Sequence, residues 1–441
     1  MTSTVTPRAR ARTPGAPSGP RQRAPQGQQA EQRDAEQDHG LLHRALPFLE
    51  RLESPVTTYY VLLSTTAILV VIGLVMVLSA SMITSYREDG SSFTVFLDQA
   101  KFAAIGIVLA AAASRVPVHW YRKLALPALI GALALEALVF TRLGVSVNGN
   151  RNWVRLGVQI QPSEVLKLAL ILIGAAVLAK KRKLLDRLRH VIVPFLVPIV
   201  LVTVGLVLAG RDLGTGLILI GIVGALLFVS GVPARFFILA ATAFGAVTAV
   251  LVITSQNRMD RITQWLSNSC TDPDGTCGQS VHGLYALADG GWWGVGLGAS
   301  KEKWSWLPEA HNDFIFAIIG EELGLPGTLV ILALFTLLAW GCYRLVQRSR
   351  DQFVRVATAG VMAWILLQTM INIGAVIGLL PVIGVPLPLV SAGGSALVTT
   401  LLALGMLLSF ARNEPGARDI LAARPSVVRR SLAVLPRRRQ R

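Results

Sequence analysis

Glu309, His311 and Asp313 stand at the entrance of a long apolar run, with Glu321 and Glu322 about two turns further in. Carboxylates and an imidazole in that pattern could exchange protons with a polar substrate or bind it. At 1.5 Å per residue, Asp313 and Glu321 are roughly 12 Å apart along a helix axis. An acidic pair at that depth is costly in lipid, so it has to face a protein interior or a water-filled cavity.

Three further groups carry polar residues with a purpose. Asn148-Gly-Asn-Arg151-Asn-Trp153-Val-Arg155 leads into Gln161-Pro-Ser-Glu164-Val-Leu-Lys167, where Pro162 suits a helix start. Glu164 and Lys167 are three apart and share a helix face, so they can pair with each other or with a ligand. Gly210-Arg211-Asp212-Leu213-Gly214-Thr215 offers Asp212 either as a helix cap or as a site residue. Between Gly378 and Ser395 the apolar chain is broken by Pro381, Pro386 and Pro388. Such a backbone at membrane depth must line a cavity or be covered by protein. Glu136 is one more acid inside an apolar run, a site for substrate or proton or else a partner between helices. His282 and His311 have no metal-ligand partner at a recognisable spacing. The glycines from Gly290 to Gly298 are not a nucleotide loop, since no strand precedes them. Small residues there would let a loop lie against the membrane surface.

Apolar residues make up 53% of the 441, and charged residues only 15%. That is the profile of an all-α polytopic membrane protein and not of a large soluble core. The formal net charge of +17 is concentrated in the tails and a few loops. It points to topology and anionic membrane lipids, not to nucleic acid. Residues 1–40 are rich in Arg, Pro, Gln and Gly and are expected to be a disordered basic tail without an apolar signal segment. Residues 41–54 fit an amphipathic juxtamembrane helix.

Ten membrane helices are expected within residues 55–411, near Tyr59–Met82, Gln99–Arg115, Leu124–Thr141, Glu164–Leu178, Val191–Leu208, Leu213–Ser230, Phe237–Thr254, Asp313–Tyr343, Val356–Ile373 and Gly393–Phe410. Lys180 to Lys183, Arg115 with Arg122, Arg344 with Arg355, and the Arg-rich tail 412–441 fall on one side only if the count is even. That side is the cytoplasm, and both termini lie there. The long loops are then external, above all Ser255–Asn312 between helices 7 and 8, which is expected to be functional or partly structured. Cys270 and Cys277 within it could form a disulfide or stay as two thiols.

Two function classes fit these features. A transporter would place its ionisable groups and broken helices at the bilayer midplane, often in matched halves. An enzyme of the outer leaflet would place its acids at the external helix ends. Glu164, Lys167, Asp212, Glu309 and Asp313 are all external, and no matched halves appear, so the enzyme reading leads.

Several linked motifs then give a resemblance. They are Ser79-Ala-Ser81 with Gln99, Asn148-Gly149, Gln161-Pro-Ser-Glu164 with Lys167, Asp212-Leu-Gly-Thr215, Gly296-Leu-Gly298, the run from Leu307 to Gly324, Leu380-Pro381, Pro386-Leu-Pro388, and Ser391 with Gly393-Gly394-Ser395. In this order the chain resembles the SEDS family (shape, elongation, division and sporulation) from about Tyr59 to Arg412. The Ala310-to-Glu322 run is more like its division branch than its elongation branch.

The resemblance implies ten transmembrane helices and a peptidoglycan glycosyltransferase that polymerises lipid II during septal wall synthesis. It acts with a class B penicillin-binding protein and other divisome proteins in the bacterial cytoplasmic membrane. A sugar hydroxyl of one lipid II would displace undecaprenyl pyrophosphate from another with inversion. A lipid II flippase or transporter, or a member of the family's elongation branch, is the alternative. Asp313 matches the family's essential aspartate and is expected to be the base, held ionised by a helix N-terminus. Substrate positioning is expected from Glu164, Lys167, Asp212, Glu309, His311 and Ser391. Lys167, then Arg151, Arg155, Arg211 and Lys301, are the candidates for the pyrophosphate. No cofactor is implied, although Mg²⁺ or Mn²⁺ could join the acidic groups at the pyrophosphate. The chain departs from the family pattern at Asn152 and Arg211, where Arg and Pro are usual, and at Ile383, Ala392 and Ala396.

Overall fold

The computed structural model describes residues 54–423, apart from 148–149, 186–187, 254–258, 260–262, 264–275 and 305. The expected juxtamembrane helix, the Cys270–Cys277 pairing and the arginines after residue 423 lie outside the described residues. The chain is a bundle of long apolar helices: α1 (Thr57–Asp89), α2 (Thr94–Ala113), α3 (Val118–Ala137), α4 (Pro162–Lys180), α5 (Arg189–Ala209), α6 (Leu213–Ser230), α7 (Ala234–Ile253), α8 (Thr276–Gly290), α9 (Ile315–Arg348), α10 (Gln352–Val376), α11 (Gly394–Arg412) and a short α12 (Ala417–Ala423). Among the described residues, nine of these are long and apolar enough to cross a membrane. The seventh expected segment, 237–254, coincides with α7, many of whose side chains lie outside the described set.

Local chemistry sets most boundaries. Pro162 occupies the first turn of α4, where its missing N–H costs nothing. The Asp212 carboxylate caps α6 by accepting from Thr215 N, and Asp351 caps α10 by accepting from Phe353 N. Within α5, Ile192–Val200 is wound as a π-helix around Pro198, whose ring withholds a backbone donor. α3 starts six residues before the expected Leu124, because His119, Trp120, Arg122 and Lys123 sit on a half-wet first turn. α4 and α11 are the most enclosed spans and α2 the most peripheral. α11 packs on α2, α10 on α6 and α4, and α9 on α1 and α8. At Gly405 a methyl group would meet the Ala110 backbone at about 2.5 Å, so glycine lets α11 and α2 touch backbone to backbone.

The basic residues gather at one end. Arg122 pairs with Asp351, Arg412 donates to Ser114 O at 3.2 Å, and Ser409 donates to Val116 O at 2.5 Å. Beside them Glu414 is buried against Thr58, Oγ1 to Oε2 at 3.5 Å. Burial pushes the Glu414 carboxyl up to about 7, although Thr58, Arg348 and Arg344 pull the other way. A folded-state pKa raised above the unfolded value means that the folded chain holds this proton more tightly. Stability is therefore fullest below the unfolded carboxyl range and falls as pH rises towards about 7. Amide exchange at the start of α1 and the end of α11 should be slower near pH 5 than near pH 8 after correction for intrinsic rates. Glu414→Gln should remove the difference.

Two features differ from expectation. The loop 142–163 carries a three-stranded antiparallel sheet, β1 (Gly144–Val147), β2 (Asn150–Leu156) and β3 (Val158–Ile160), in the order β1-β2-β3. Arg151 N donates to Gly210 O at 3.0 Å, which ties β2 to the mouth of α6. Segment eight begins at Ile315, leaving Asp313 in a turn outside the helix, and it is broken at Gly324 (φ 65, ψ −161). Only glycine takes that conformation readily. Pro326, two residues on, cannot donate to Glu322 O. The two freed carbonyls, Glu321 O and Glu322 O, accept instead from Val295 N (2.9 Å) and Gly296 N (3.0 Å), while Leu325 N donates to Gly291 O (3.1 Å). The 290–298 glycines thus lie against the break in α9. A methyl at Gly290 or Gly294 would collide with the backbone of Gly320 or Glu322 at about 2.0 to 2.3 Å. The loop 255–312 is partly structured, as expected, through α8 and this plug.

Candidate active site

Four segments meet at the end of the bundle opposite the basic one: the sheet with the heads of α4 and α6, the turn 309–314, the strap 378–393, and the C-terminal half of α10. The strap is the common neighbour. A methyl at Gly214, in the first turn of α6, would meet Ile383 and Val385 at 3.0 Å, and one at Gly384 would meet Asp313 Oδ2 at 3.3 Å. The 383–385 backbone therefore runs between the Asp212 cap and Asp313.

Asp313 is half-buried in the turn. Phe314, not Asp313, is the residue flanking α9, so the dipole reaches this carboxylate from one residue further than expected. Asn372 holds the turn, its Nδ2 donating to Asp313 O at 2.7 Å and to Val385 O at 2.8 Å. Ser391 Oγ donates to Asn312 O at 2.6 Å and accepts from Leu387 N at 2.8 Å, so its hydroxyl fastens strap to turn. Ala392 N donates to His311 O, and Gln99 grips the strap through Ser391 O and Gly393 N. Within the turn Asn312 Nδ2 donates to the Glu309 carboxylate. Burial pushes the His311 imidazole below its ordinary range, opposed by Glu309 and Glu88. Beside Asp313 is a crevice of about 10 Å³ lined by Phe314, Asn372 and Val382–Val385, room for about one water molecule.

Asp212 and the Glu164–Lys167 pair are more enclosed. Asp212 Oδ1 accepts from Thr215 N, and Oδ2 accepts from Thr215 Oγ1 (2.9 Å), Asn152 Nδ2 (3.1 Å) and Gln161 Nε2 (3.0 Å). Asn152, where the family pattern has Arg, is thus the residue of β2 that faces Asp212. Arg151 is exposed and spends its guanidinium on Thr141 O at 2.6 Å, and Arg155 is exposed on the same strand. Lys167 is fully buried, bonded to Glu164 Oε1 (2.8 Å) and Gln368 Oε1 (3.1 Å), with its ammonium 4.8 Å from the Trp364 ring centre. Lys301 is exposed and 3.7 Å from Asp289 Oδ2.

Glu321 and Glu322 face protein, not a water-filled cavity. Glu321 accepts from Ser300 Oγ and Lys301 N. Glu322 accepts from Ser79 Oγ (2.7 and 2.8 Å) and from Lys303 Nζ (2.9 Å), and both members of that ion pair are 2% exposed or less. Among the described residues no three His, Cys, Asp or Glu side chains gather closely enough to hold a metal ion.

Lys303 and the ladder Trp364, Gln368 and Asn372 were not among the residues singled out by sequence. Trp364 Nε1 donates to Gln368 Oε1 (2.8 Å), and Gln368 Nε2 donates to Pro386 O (3.0 Å). The ladder's signal is its spacing of four, one polar-tipped side chain per turn of an apolar helix. Backbone strain marks the same region. Among the described residues the non-glycine positions with positive φ are Arg211 (65), Glu309 (58) and Leu389 (66), one at the α6 mouth, one in the turn and one in the strap. Strain of this kind persists where surrounding structure enforces it, and it concentrates at functional sites.

Comparison with known proteins gives consistent matches. The family described as cell cycle protein, FTSW_RODA_SPOVE, matches residues 60–415. The probable peptidoglycan glycosyltransferase FtsW of Mycobacterium tuberculosis is 41% identical over 378 residues, covering 84% of this chain and 71% of that protein. Stage V sporulation protein E of Bacillus subtilis is 37% identical over 349 residues, covering 79% and 95%. Among solved structures, a chain of a peptidoglycan synthase complex that coordinates polymerization and crosslinking superposes with a TM-score of 0.65 at 27% identity, over 80% of this chain and 97% of that one. The rod shape determining protein RodA of Thermus thermophilus gives a TM-score of 0.59 at 28% identity, over 80% and 96%.

Proposed function

This chain belongs to the FtsW/RodA/SpoVE family of cell cycle proteins, the SEDS family, as a multi-pass membrane protein, and on that premise we propose that it is a peptidoglycan glycosyltransferase of the division branch, polymerising lipid II. The observation that carries the chemical assignment is the setting of Asp313. Asp313 is half-buried, its turn is held by Asn372 and Ser391, and the strap passes so near that a side chain at Gly384 would press on Oδ2.

The carboxylate takes the proton of the attacking sugar hydroxyl as the new C–O bond forms. The bond from the anomeric carbon to the pyrophosphate oxygen breaks on the opposite side, with inversion, and undecaprenyl pyrophosphate leaves with the electron pair. The leaving group needs cations. Lys167 is fully buried in its pair with Glu164, so its part is to hold α4 to α10 beneath the strap. Arg155 and Lys301 are exposed at this end and can meet the pyrophosphate. Asp212 fixes sheet and α6 in place. Glu309 and His311 shape the turn, and Ser391 ties it to the strap.

A class B penicillin-binding protein is the partner, with other divisome proteins at the septum, and the site end faces outward. The test is to purify the chain with and without that partner, supply lipid II and look for glycan polymer. Polymer supports the reading, whereas lipid II translocation without any polymer would establish a flippase instead. Asn372→Leu should lower the polymerisation rate by roughly tenfold to a hundredfold through misplacement of the Asp313 turn. Its KM for lipid II should change little, and an unchanged rate would remove Asn372 from the positioning role.

A further inference from the structure

The plug of the α9 break carries two exposed tryptophans. Between the backbone bonds that pin the loop to Glu321, Glu322 and Leu325, the chain turns outward at Trp292 and Trp293, which are 74% and 85% exposed. Val295 and Leu297 are exposed beside them. Immediately past the break, Leu325, Leu329, Val330 and Leu332 form the exposed apolar surface of the α9 span. The tryptophan turn is thus continuous with a surface that faces lipid acyl chains.

Its height can be read from the helix. Twenty residues separate Gly324 from Arg344 at the basic end, about 30 Å of α-helix, which is the thickness of a bilayer's hydrocarbon core. Arg344 lies over the Trp340 ring, 5.4 Å from its centre, a pairing suited to a membrane boundary. Trp292 and Trp293 sit between Gly291, which accepts from Leu325 N, and Val295, which donates to Glu321 O, and so fall at the other boundary. Indole rings prefer that level, where an apolar body meets lipid and an N–H meets headgroups.

We propose that the Trp292–Trp293 turn inserts into the headgroup region of the leaflet opposite the basic end, so that the loop plugging α9 is anchored in the lipid surface. The anchor fixes the height of the half-helix Ile315–Leu323, and hence of the turn before it, relative to the membrane. This inference rests on the membrane-spanning fold and not on the glycosyltransferase reading, and each can fail without the other.

The test uses the full chain reconstituted in phosphatidylethanolamine–phosphatidylglycerol vesicles containing phosphatidylcholine brominated either near the carbonyls or near the acyl ends. The emission removed by Trp292→Phe with Trp293→Phe is taken as the difference from the parent. That difference emission should be blue-shifted. Shallow bromines should abolish most of it, deep bromines less, and aqueous iodide least. Quenching by iodide without quenching by bromolipid would put the rings in water, free for a sugar or a protein, and would overturn the proposal. Quenching by neither would mean that protein covers them, and would overturn it equally. Should the double variant fail to reconstitute, Trp293→Phe alone reports on the more exposed ring with the same outcomes.

Discussion

Asp313→Ala protein, given lipid II and its transpeptidase partner, is expected to yield no detectable glycan polymer while unfolding close to the parent temperature. A positioned general base contributes roughly a hundredfold to ten-thousandfold, and this carboxylate is the acid of the turn that lies beside the strap. The fold should tolerate the change because the turn is held mainly through its backbone: Asn372 to Asp313 O, Ser391 to Asn312 O, and Ala392 N to His311 O. Asp313→Asn keeps the shape and loses the proton acceptor, so it should be equally inactive. Gel analysis of labelled lipid II reads the polymer, and thermal unfolding in detergent reads the fold. Normal polymer from either variant would sink the base assignment. Loss of polymer with a collapsed unfolding temperature would make Asp313 a structural residue.

The largest stability effect is expected at Lys303. Its ammonium has all three protons placed, on Glu322 Oε1 (2.9 Å), Gly298 O (2.7 Å) and Ser79 Oγ (3.3 Å), out of contact with water. Lys303→Met leaves the Glu322 carboxylate buried beside Ser79 alone. Removing one partner of such a pair costs about 3–5 kcal/mol, because the other charge stays desolvated. Replacing both, Lys303→Met with Glu322→Leu, should recover much of that loss, since an apolar pair of similar volume is often neutral. Hydrogen exchange should place the loss in 290–303 and 315–324. A Lys303→Met variant destabilised by less than about 1 kcal/mol would mean that water reaches this pair.

Much of this arrangement is legible in the sequence because bilayers impose long apolar runs and sort arginines to one side. The spans, the basic end and the gathering of the polar groups at the other end follow from those two rules. Asp313 is legible through its motif. The sheet is not: β2 leaves Arg151 and Arg155 exposed, half-buries Asn152 and Trp153 and buries Val154, so polar and apolar residues do not alternate cleanly and the signal is weak. Nor is the choice between Lys301 and Lys303, two residues apart in a turn, where no periodicity says which side chain is buried. The break in α9 is written as Gly324-Leu-Pro326, a turn signal inside a helical run, and apolar character alone conceals it.

That break also decides where force enters the half-helix leading to Asp313. Two successive rungs of the α9 ladder are diverted, one because Leu325 N turns to Gly291 and one because Pro326 has no proton to give. A tilt of the lower span is therefore passed upward through a compliant joint. A displacement of the 290–303 loop, bolted to Glu321 and Glu322 by backbone bonds and a buried ion pair, is passed on stiffly. The half-helix is a lever whose handle lies in the long loop, outside the span itself.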